Sequence, residues 1–218
     1  MVEMKPKCLI FGGADTEWHR FSEYRDNYIK ICSESGYEAE TSEDISCLNT
    51  SFLKDFSAVL CCASERTMNK DQETALLSSV SGFNPEQTGQ PKMFLGVHSA
   101  AACFADSEKY LRMLGAKFLA HPPMGNINIM KASSDRLLEG IEDFSITDEF
   151  YLMEYYPPFS VLLEAEYNGF RLPLCWKKSY GLGTVCYLAP GHGKEQTSHP
   201  VIQRIIGNML RSHLNQEV

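Results

Sequence analysis

The chain has 218 residues, of which 44% are hydrophobic and 22% charged, a globular composition that excludes a disordered chain. Twenty Lys and Arg against 28 Asp and Glu give a net charge of −8. This charge repels phosphate backbones and anionic lipids, so we expect neither a nucleic-acid nor a membrane partner. The length suits one large domain, and we expect residues 1–218 to form it.

The first apolar run of the chain is short. Cys8–Phe11 has four residues and ends at Gly12-Gly13, whereas a membrane span needs about 20 apolar residues and a secretory signal needs a longer apolar region with a cleavage site. We therefore expect a cytoplasmic protein. The eight cysteines form no CxxC motif, so we expect small buried hydrophobic residues rather than zinc ligands or disulfides.

The first half of the chain alternates predicted strands and helices. Short apolar runs predict strands, and apolar residues at three- and four-residue steps predict helices. The predicted elements are strand 7–11, helix 20–35, strands 37–43 and 58–62, a helix with a capping box at Asn69 and Gln72, loop 82–91, strand 92–97 and helix 99–114. This alternation predicts a parallel sheet with right-handed crossovers.

The second half of the chain is predicted to be mainly strands. They cover 118–120, 126–130, 144–154, 160–167, 170–176 and 184–188, with a short helix near 135–140 and a last helix over 201–214 that has Pro200 in its first turn. Asn168-Gly169 between two of these strands is a hairpin signal. The predicted fold class is therefore α/β, a mostly parallel sheet with antiparallel strands added in the C-terminal half.

Histidines follow several predicted strands. Ligands of open parallel sheets bind at the carboxyl ends of the strands, and four of the six histidines are placed there. They are His19, His98, His121 and His192. One such histidine is most often structural, but four at one edge predict a shared site.

The segment Phe94–Ala101 resembles a nucleophile elbow. Gly96 precedes His98 by two residues, and small residues follow it, as in the strand-turn-helix motif that exposes a Ser or Cys nucleophile. An imidazole beside a helix N-terminus is biased toward its neutral form and could be a base, a hydrogen-bond donor or a metal ligand. Ser99 and Cys103 are weaker nucleophile candidates, because Ser99 should cap the helix and Cys103 should be packed.

Two further clusters carry candidate site residues. Adjacent carboxylates in a strand point to opposite faces, so only one acid of Asp148-Glu149 can face a pocket. Glu149 and Tyr151 share a side, and Glu149 could orient a histidine, act as a base, bind a metal or sugar hydroxyl, or be a surface acid. Trp176 could stack on a sugar ring or lie in the core.

These motifs, taken in order, resemble the ThuA-like family, named for trehalose utilisation. The matching segments are 96–101, 121–122, 148–151, 173–176, 180–185 and 191–192. The resemblance implies the flavodoxin-like three-layer sandwich of class I glutamine amidotransferases, in which a cysteine holds the elbow and a late histidine activates it. Here His98 and His192 stand in those places, which implies the fold without glutamine hydrolysis. Thr184 departs from the Arg more usual in the family, which weakens the inference of an anionic ligand.

The first hypothesis is an enzyme that acts on a sugar or keto-sugar as an isomerase or lyase. Its catalytic residues would be His98, His121, Glu149 and His192. Its substrate-binding residues would be His19, Tyr151, Trp176 and Ser99. A divalent metal could assist, although no HxxxH or HxH spacing indicates one. The expected partner is a sugar-like small molecule, and a homo-oligomer is left open.

Two alternatives belong to other function classes. One is a non-catalytic metabolite-binding or interaction module on a retired amidotransferase fold. The other is a cysteine amidohydrolase that uses an off-register thiol such as Cys103.

Overall fold

Five parallel strands form one half of the main sheet. A computed structural model describes residues 5–14, 20–83 and 92–215 of the chain. The parallel strands lie in the order β2-β1-β3-β4-β11. Their bounds are β1 Lys7–Phe11, β2 Glu38–Ser42, β3 Ala58–Cys61, β4 Met93–Val97 and β11 Gly183–Leu188. β3 and β4 are buried at every residue, as expected for central strands that are covered on both faces.

Four antiparallel strands complete the sheet. They continue from β11 in the order β10-β9-β6-β7. Their bounds are β6 Gly125–Lys131, β7 Phe144–Asp148, β9 Ser160–Tyr167 and β10 Phe170–Tyr180. A separate pair contains β5 Ala116–Ala120 and β8 Leu152–Tyr155. The prediction of a parallel core with antiparallel strands in the C-terminal half is confirmed, as is the hairpin at Asn168-Gly169, where both φ angles are positive.

The bounds of the helices are α1 Phe21–Glu34, α2 Thr50–Leu53, α3 Lys70–Ser81, α4 Glu108–Leu114, α5 Lys194–Thr197 and α6 Pro200–Leu214. Two of the helices begin at the signals that the sequence carries for them, the capping box before α3 and Pro200 at the start of α6. The capping box before α3 is present, since Asn69 Oδ1 accepts from the Gln72 N–H and Gln72 Oε1 accepts from the Asn69 N–H. Pro200 occupies the first turn of α6. Among the described residues, no helix is long and apolar enough to cross a membrane.

The predicted helix over 99–114 is wrong in its first half. A 3-10 turn covers His98–Ala101, the chain then leaves helical geometry, and α4 begins only at Glu108. Phe104 has a φ of +51°, and its N–H donates to the Arg66 carbonyl 2.9 Å away. Ser107 then starts the new helix, because its hydroxyl accepts from the Tyr110 N–H.

The single strand predicted over 144–154 is also wrong. The chain forms β7, breaks at residues 149–151, and forms β8 in the other sheet. The break has a local cause: the side chain of Asp148 accepts a hydrogen bond from the Glu149 N–H at 2.8 Å. That bond takes the Glu149 N–H, so the residues after Asp148 turn out of the sheet.

Candidate active site

The turn after β4 has the geometry of an elbow. His98 has a φ of +46°, a left-handed conformation that costs a non-glycine residue about 1–2 kcal/mol. Leu114 packs directly against the backbone before the turn, so closely that a Cβ on Gly96 would lie 2.6 Å from Leu114 Cδ1. The hydroxyl of Tyr187 donates to the His98 carbonyl at 2.7 Å. The predicted elbow is therefore present, although only a short 3-10 turn follows it and supplies no helix dipole of the predicted kind.

The ring of His98 forms the floor of the site. It is 1% exposed, and its Nδ1 lies 2.8 Å from the Ala189 carbonyl oxygen. Because a carbonyl can only accept, Nδ1 carries a proton and donates this hydrogen bond. Nε2 then points to the opposite side, 3.3 Å from Glu149 Oε2. The ring of Tyr151 packs on the imidazole with centroids 4.1 Å apart.

The carboxylate of Glu149 lies among three imidazoles. Its Oε2 is 3.2 Å from His192 Nδ1, and its Oε1 is 3.6 Å from His121 Nε2. Burial alone would raise the pKa of Glu149, but His192 and His98 outweigh burial and hold that pKa well below its usual range. Glu149 in turn raises the pKa of His192 against the opposing effect of burial. Glu149 and His192 therefore each stabilise the charged form of the other.

Asp148 holds the segments that carry these groups. It is fully buried, and its two oxygens accept from the Glu149 N–H at 2.8 Å and the Gly191 N–H at 2.7 Å. Burial raises its pKa, and His98 and the two N–H donors oppose that rise. One carboxylate thus ties the residue after β7 to the loop of His192. The sequence does not predict this role of Asp148, because the role depends on Gly191, which is 43 positions away.

His121, His192 and Glu149 line a pocket at the carboxyl ends of the parallel strands. Its volume is about 360 Å³, and Phe118 and Tyr151 form an aromatic part of its lining. A neighbouring groove of about 620 Å³ lies beyond segment 148–151. Glu149 and Tyr151 line the pocket, whereas Asp148 and Phe150 line the groove. The alternation predicted for this segment is therefore present, although the segment is not a strand.

The predicted residues are divided between this site and the interior. The structure brings together His98, His121, Glu149, Tyr151 and His192. The atoms of His98, Glu149 and His192 are also of types that could hold a metal. His19 lies outside the described residues.

Trp176 and Ser99 do not face the pocket, which corrects their assignment as substrate-binding residues. Trp176 is fully buried, stacks between Phe159 and Tyr187, and donates from Nε1 to the Leu114 carbonyl at 2.9 Å. Ser99 is buried, and its hydroxyl donates to the Cys62 carbonyl at 2.9 Å instead of capping a helix. Trp176 thus links β10 to the end of α4, and Ser99 links the turn after β4 to the residue after β3.

The cysteines are structural. All eight lie within the described residues, where they are buried thiols. Burial is the largest factor that raises the pKa of Cys103 well above its ordinary value. A buried thiol of raised pKa is a poor nucleophile, which weighs against the cysteine amidohydrolase hypothesis.

Comparison with known proteins places the chain among ThuA proteins. The family model described as ThuA, trehalose utilisation, matches residues 7–211. A protein described as ThuA-like from Parabacteroides merdae has a similar structure, with a TM-score of 0.78 at 11% identity over 94% of this chain and 88% of that one. Another from Bacteroides uniformis has a TM-score of 0.73 at 14% identity over 98% and 93% of the two chains.

A similar fold also occurs inside larger enzymes. A β-galactosidase from Rahnella sp. R3 matches 98% of this chain with 31% of its own, with a TM-score of 0.63 at 12% identity. At such identities the likeness concerns the fold alone. No protein among the curated ones matches the sequence significantly.

Proposed function

Because the chain belongs to the ThuA family, we propose that it acts on a sugar or keto-sugar by proton transfer, as an isomerase or lyase. The observation that carries the proposal is Glu149, whose two oxygens lie 3.2 to 3.6 Å from imidazole nitrogens in an open pocket. Histidine–carboxylate pairs are the usual means of moving a proton next to a carbonyl group.

His121 is the proton-transfer group that a substrate would meet first. Its side chain is 37% exposed, against 1% for His98. Its Nδ1 lies 2.8 Å from the Pro122 carbonyl, which leaves Nε2 on the side of Glu149 and the pocket. In the proposed step, Nε2 takes a proton from the carbon beside the carbonyl, and the C–H electrons form an enediolate. Return of that proton to the other carbon, with transfer of the hydroxyl proton from one oxygen of the enediolate to the other, gives the isomer. Alternatively, the C–O bond to a β-substituent breaks, and the substituent leaves as an alcohol with the proton held on Nε2.

The lining of the two cavities supports a sugar as the substrate. Sugar rings present C–H faces that pack on aromatic rings, and Phe118 and Tyr151 line the pocket. The hydroxyl groups of sugars form hydrogen bonds with side-chain amides, and Asn126 and Asn128 line the groove. We assign the reacting ring to the pocket and a second ring to the groove. The net charge of −8 favours a neutral ligand over an anion.

The finer architecture belongs to the same proposal. We assign the chain to one domain, a three-layer sandwich of the class I glutamine amidotransferase type, with His98 where those enzymes carry the cysteine. The buried cysteines support a reducing, cytoplasmic location. The acidic net charge supports the absence of nucleic-acid and membrane partners.

Assays of two variants test the proposal. NMR would follow the conversion of 3-keto-glycosides and their parent disaccharides by the wild type, Glu149→Gln and His121→Ala. We expect at least one substrate to be converted, and both variants to lose about 10²- to 10⁴-fold in rate. Glu154→Gln is the matched control, since Glu154 is an exposed acid on β8.

Two results would contradict the proposal, the first for the role of Glu149 and the second for an enzymatic role. One is full activity in Glu149→Gln. The other is stoichiometric sugar binding by calorimetry without turnover of any compound in the panel, which would favour the binding module.

A further inference from the structure

The three ligand-type atoms at the pocket floor form a nearly equilateral triangle. Glu149 Oε2 is 3.3 Å from His98 Nε2 and 3.2 Å from His192 Nδ1, and the two nitrogens are 3.3 Å apart. A tetrahedral ion about 2.0–2.1 Å from its ligands holds them about 3.3–3.4 Å from one another. The triangle therefore has the size of one face of a coordination tetrahedron.

The surroundings of the triangle orient its members as metal-bound residues are oriented. Metal-bound histidines donate their other N–H to a carbonyl or carboxylate, which sets the tautomer and the direction of the ring. His98 does this through Nδ1 and the Ala189 carbonyl, so Nε2 is the nitrogen on the side of Glu149. Asp148 anchors the backbone beside the other two members through the N–H groups of Glu149 and Gly191.

We propose that His98 Nε2, Glu149 Oε2 and His192 Nδ1 bind a divalent transition-metal ion of the zinc class. Two imidazoles and one carboxylate are a ligand set of catalytic zinc sites and of other first-row divalent ions. Since Glu149 and His192 line the pocket above the buried His98, the fourth position of the ion faces the pocket.

His121 is not part of the ligand set. Its Nε2 lies 3.6 Å from Oε1, the other oxygen of Glu149. The division of roles rests on the proposed function: the ion polarises the carbonyl oxygen of the sugar at its fourth position, and His121 transfers the proton. Binding of the ion does not depend on that function.

Titration with Co²⁺ alone tests the site. The full chain, freed of metal by a chelator, is titrated with Co²⁺ while its visible absorption is recorded. We expect one equivalent to bind with the intense bands of tetrahedral coordination. His192→Ala and Glu149→Gln should weaken binding by more than about 100-fold, beyond the 10- to 100-fold typical of an outer partner. His121→Ala removes an outer partner of Glu149 and is the matched control: it should weaken Co²⁺ binding by no more than about 10- to 100-fold.

Several results would overturn the assignment. They are a wild type that binds no Co²⁺, an unchanged affinity in His192→Ala, or a loss of binding in His121→Ala. Circular dichroism of each variant checks that it is folded, and the half-exposed position of His192 makes its truncation tolerable.

The metal and the proposed function can fail separately. Co²⁺ binding without turnover of any sugar keeps the site and contradicts the function. Sugar turnover by metal-free protein keeps the function and contradicts the role of the ion.

Discussion

The parallel and antiparallel halves of the molecule contribute differently to the site. The parallel half supplies His98 after β4 and His192 after β11, at adjacent strand ends. The other strands supply Glu149 after β7 and His121 after β5. The parallel half thus supplies the buried ring at the floor of the site, while the strands outside it supply the carboxylate and the more exposed imidazole. The histidine–glutamate cluster forms only where these two sets of strands meet.

The largest effect is expected from a change to the floor. His98→Asn should reduce sugar turnover by about 10³-fold, because it removes the nitrogen beside Glu149 Oε2. Asparagine tolerates the left-handed φ of +46° at this position, so the elbow should persist. Rates from the keto-glycoside assay and circular dichroism of the folded protein check both statements. Full activity in this variant would mean that the floor is structural only.

The next effect is expected where the halves are joined. Asp148→Asn should lower Co²⁺ affinity and turnover by about 10- to 100-fold, and stability by about 1–3 kcal/mol. One amide oxygen cannot replace two carboxylate oxygens that accept from Glu149 and Gly191. Titration and urea unfolding measure the two losses.

A nearby aspartate provides the control for this loss. Asp143→Asn alters an exposed aspartate that accepts one backbone N–H, from Lys131, and should change neither quantity much. Equal behaviour of the two variants would contradict the role of Asp148 as a positioning residue.

Local signals explain what the sequence predicts well. The capping box at Asn69, the Asn168-Gly169 hairpin and the elbow at His98 each depend on a few consecutive residues. Strand-end placement also predicts that His98, His121 and His192 gather at one edge. These features need no knowledge of distant partners.

Distant contacts explain what the sequence does not predict. The helix over 99–114 breaks at a bond from Phe104 to Arg66. Trp176 is held in the core by the Leu114 carbonyl. Asp148 reaches Gly191 across 43 positions. None of these partners is adjacent in the sequence, so periodicity and turn signals carry no information about them.

Burial in the parallel half predicts a pH-dependent stability. Lys92 is buried, its Nζ donates to the Leu53 carbonyl, and burial lowers its pKa to about 8. Between about pH 8 and the unfolded value of about 10.4, the unfolded chain binds a proton that the folded chain does not. Stability attributable to Lys92 therefore rises with pH over this window, by about 3 kcal/mol in full, and the cost of the buried charge is fully present below it.

The comparison of wild type with Lys92→Met isolates this contribution. The difference in their free energies of unfolding, from urea titrations, should change in favour of the wild type from pH 7 to pH 10. The same difference measured for Lys54→Met, which alters an exposed lysine, should stay constant. A constant difference for Lys92→Met as well would show that its amine stays charged in the folded state.

The smallest effect is expected in the groove of the antiparallel half. Asn126 is exposed and lines the groove beyond segment 148–151. If a second sugar ring lies there, Asn126→Ala removes a hydrogen bond worth about 1 kcal/mol, so KM for a disaccharide-length substrate should rise about fivefold. KM for a single-ring substrate, which fills only the pocket, should not change and serves as the internal control. An equal rise in both values would assign Asn126 to the pocket itself, and no rise in either would remove the groove from substrate binding.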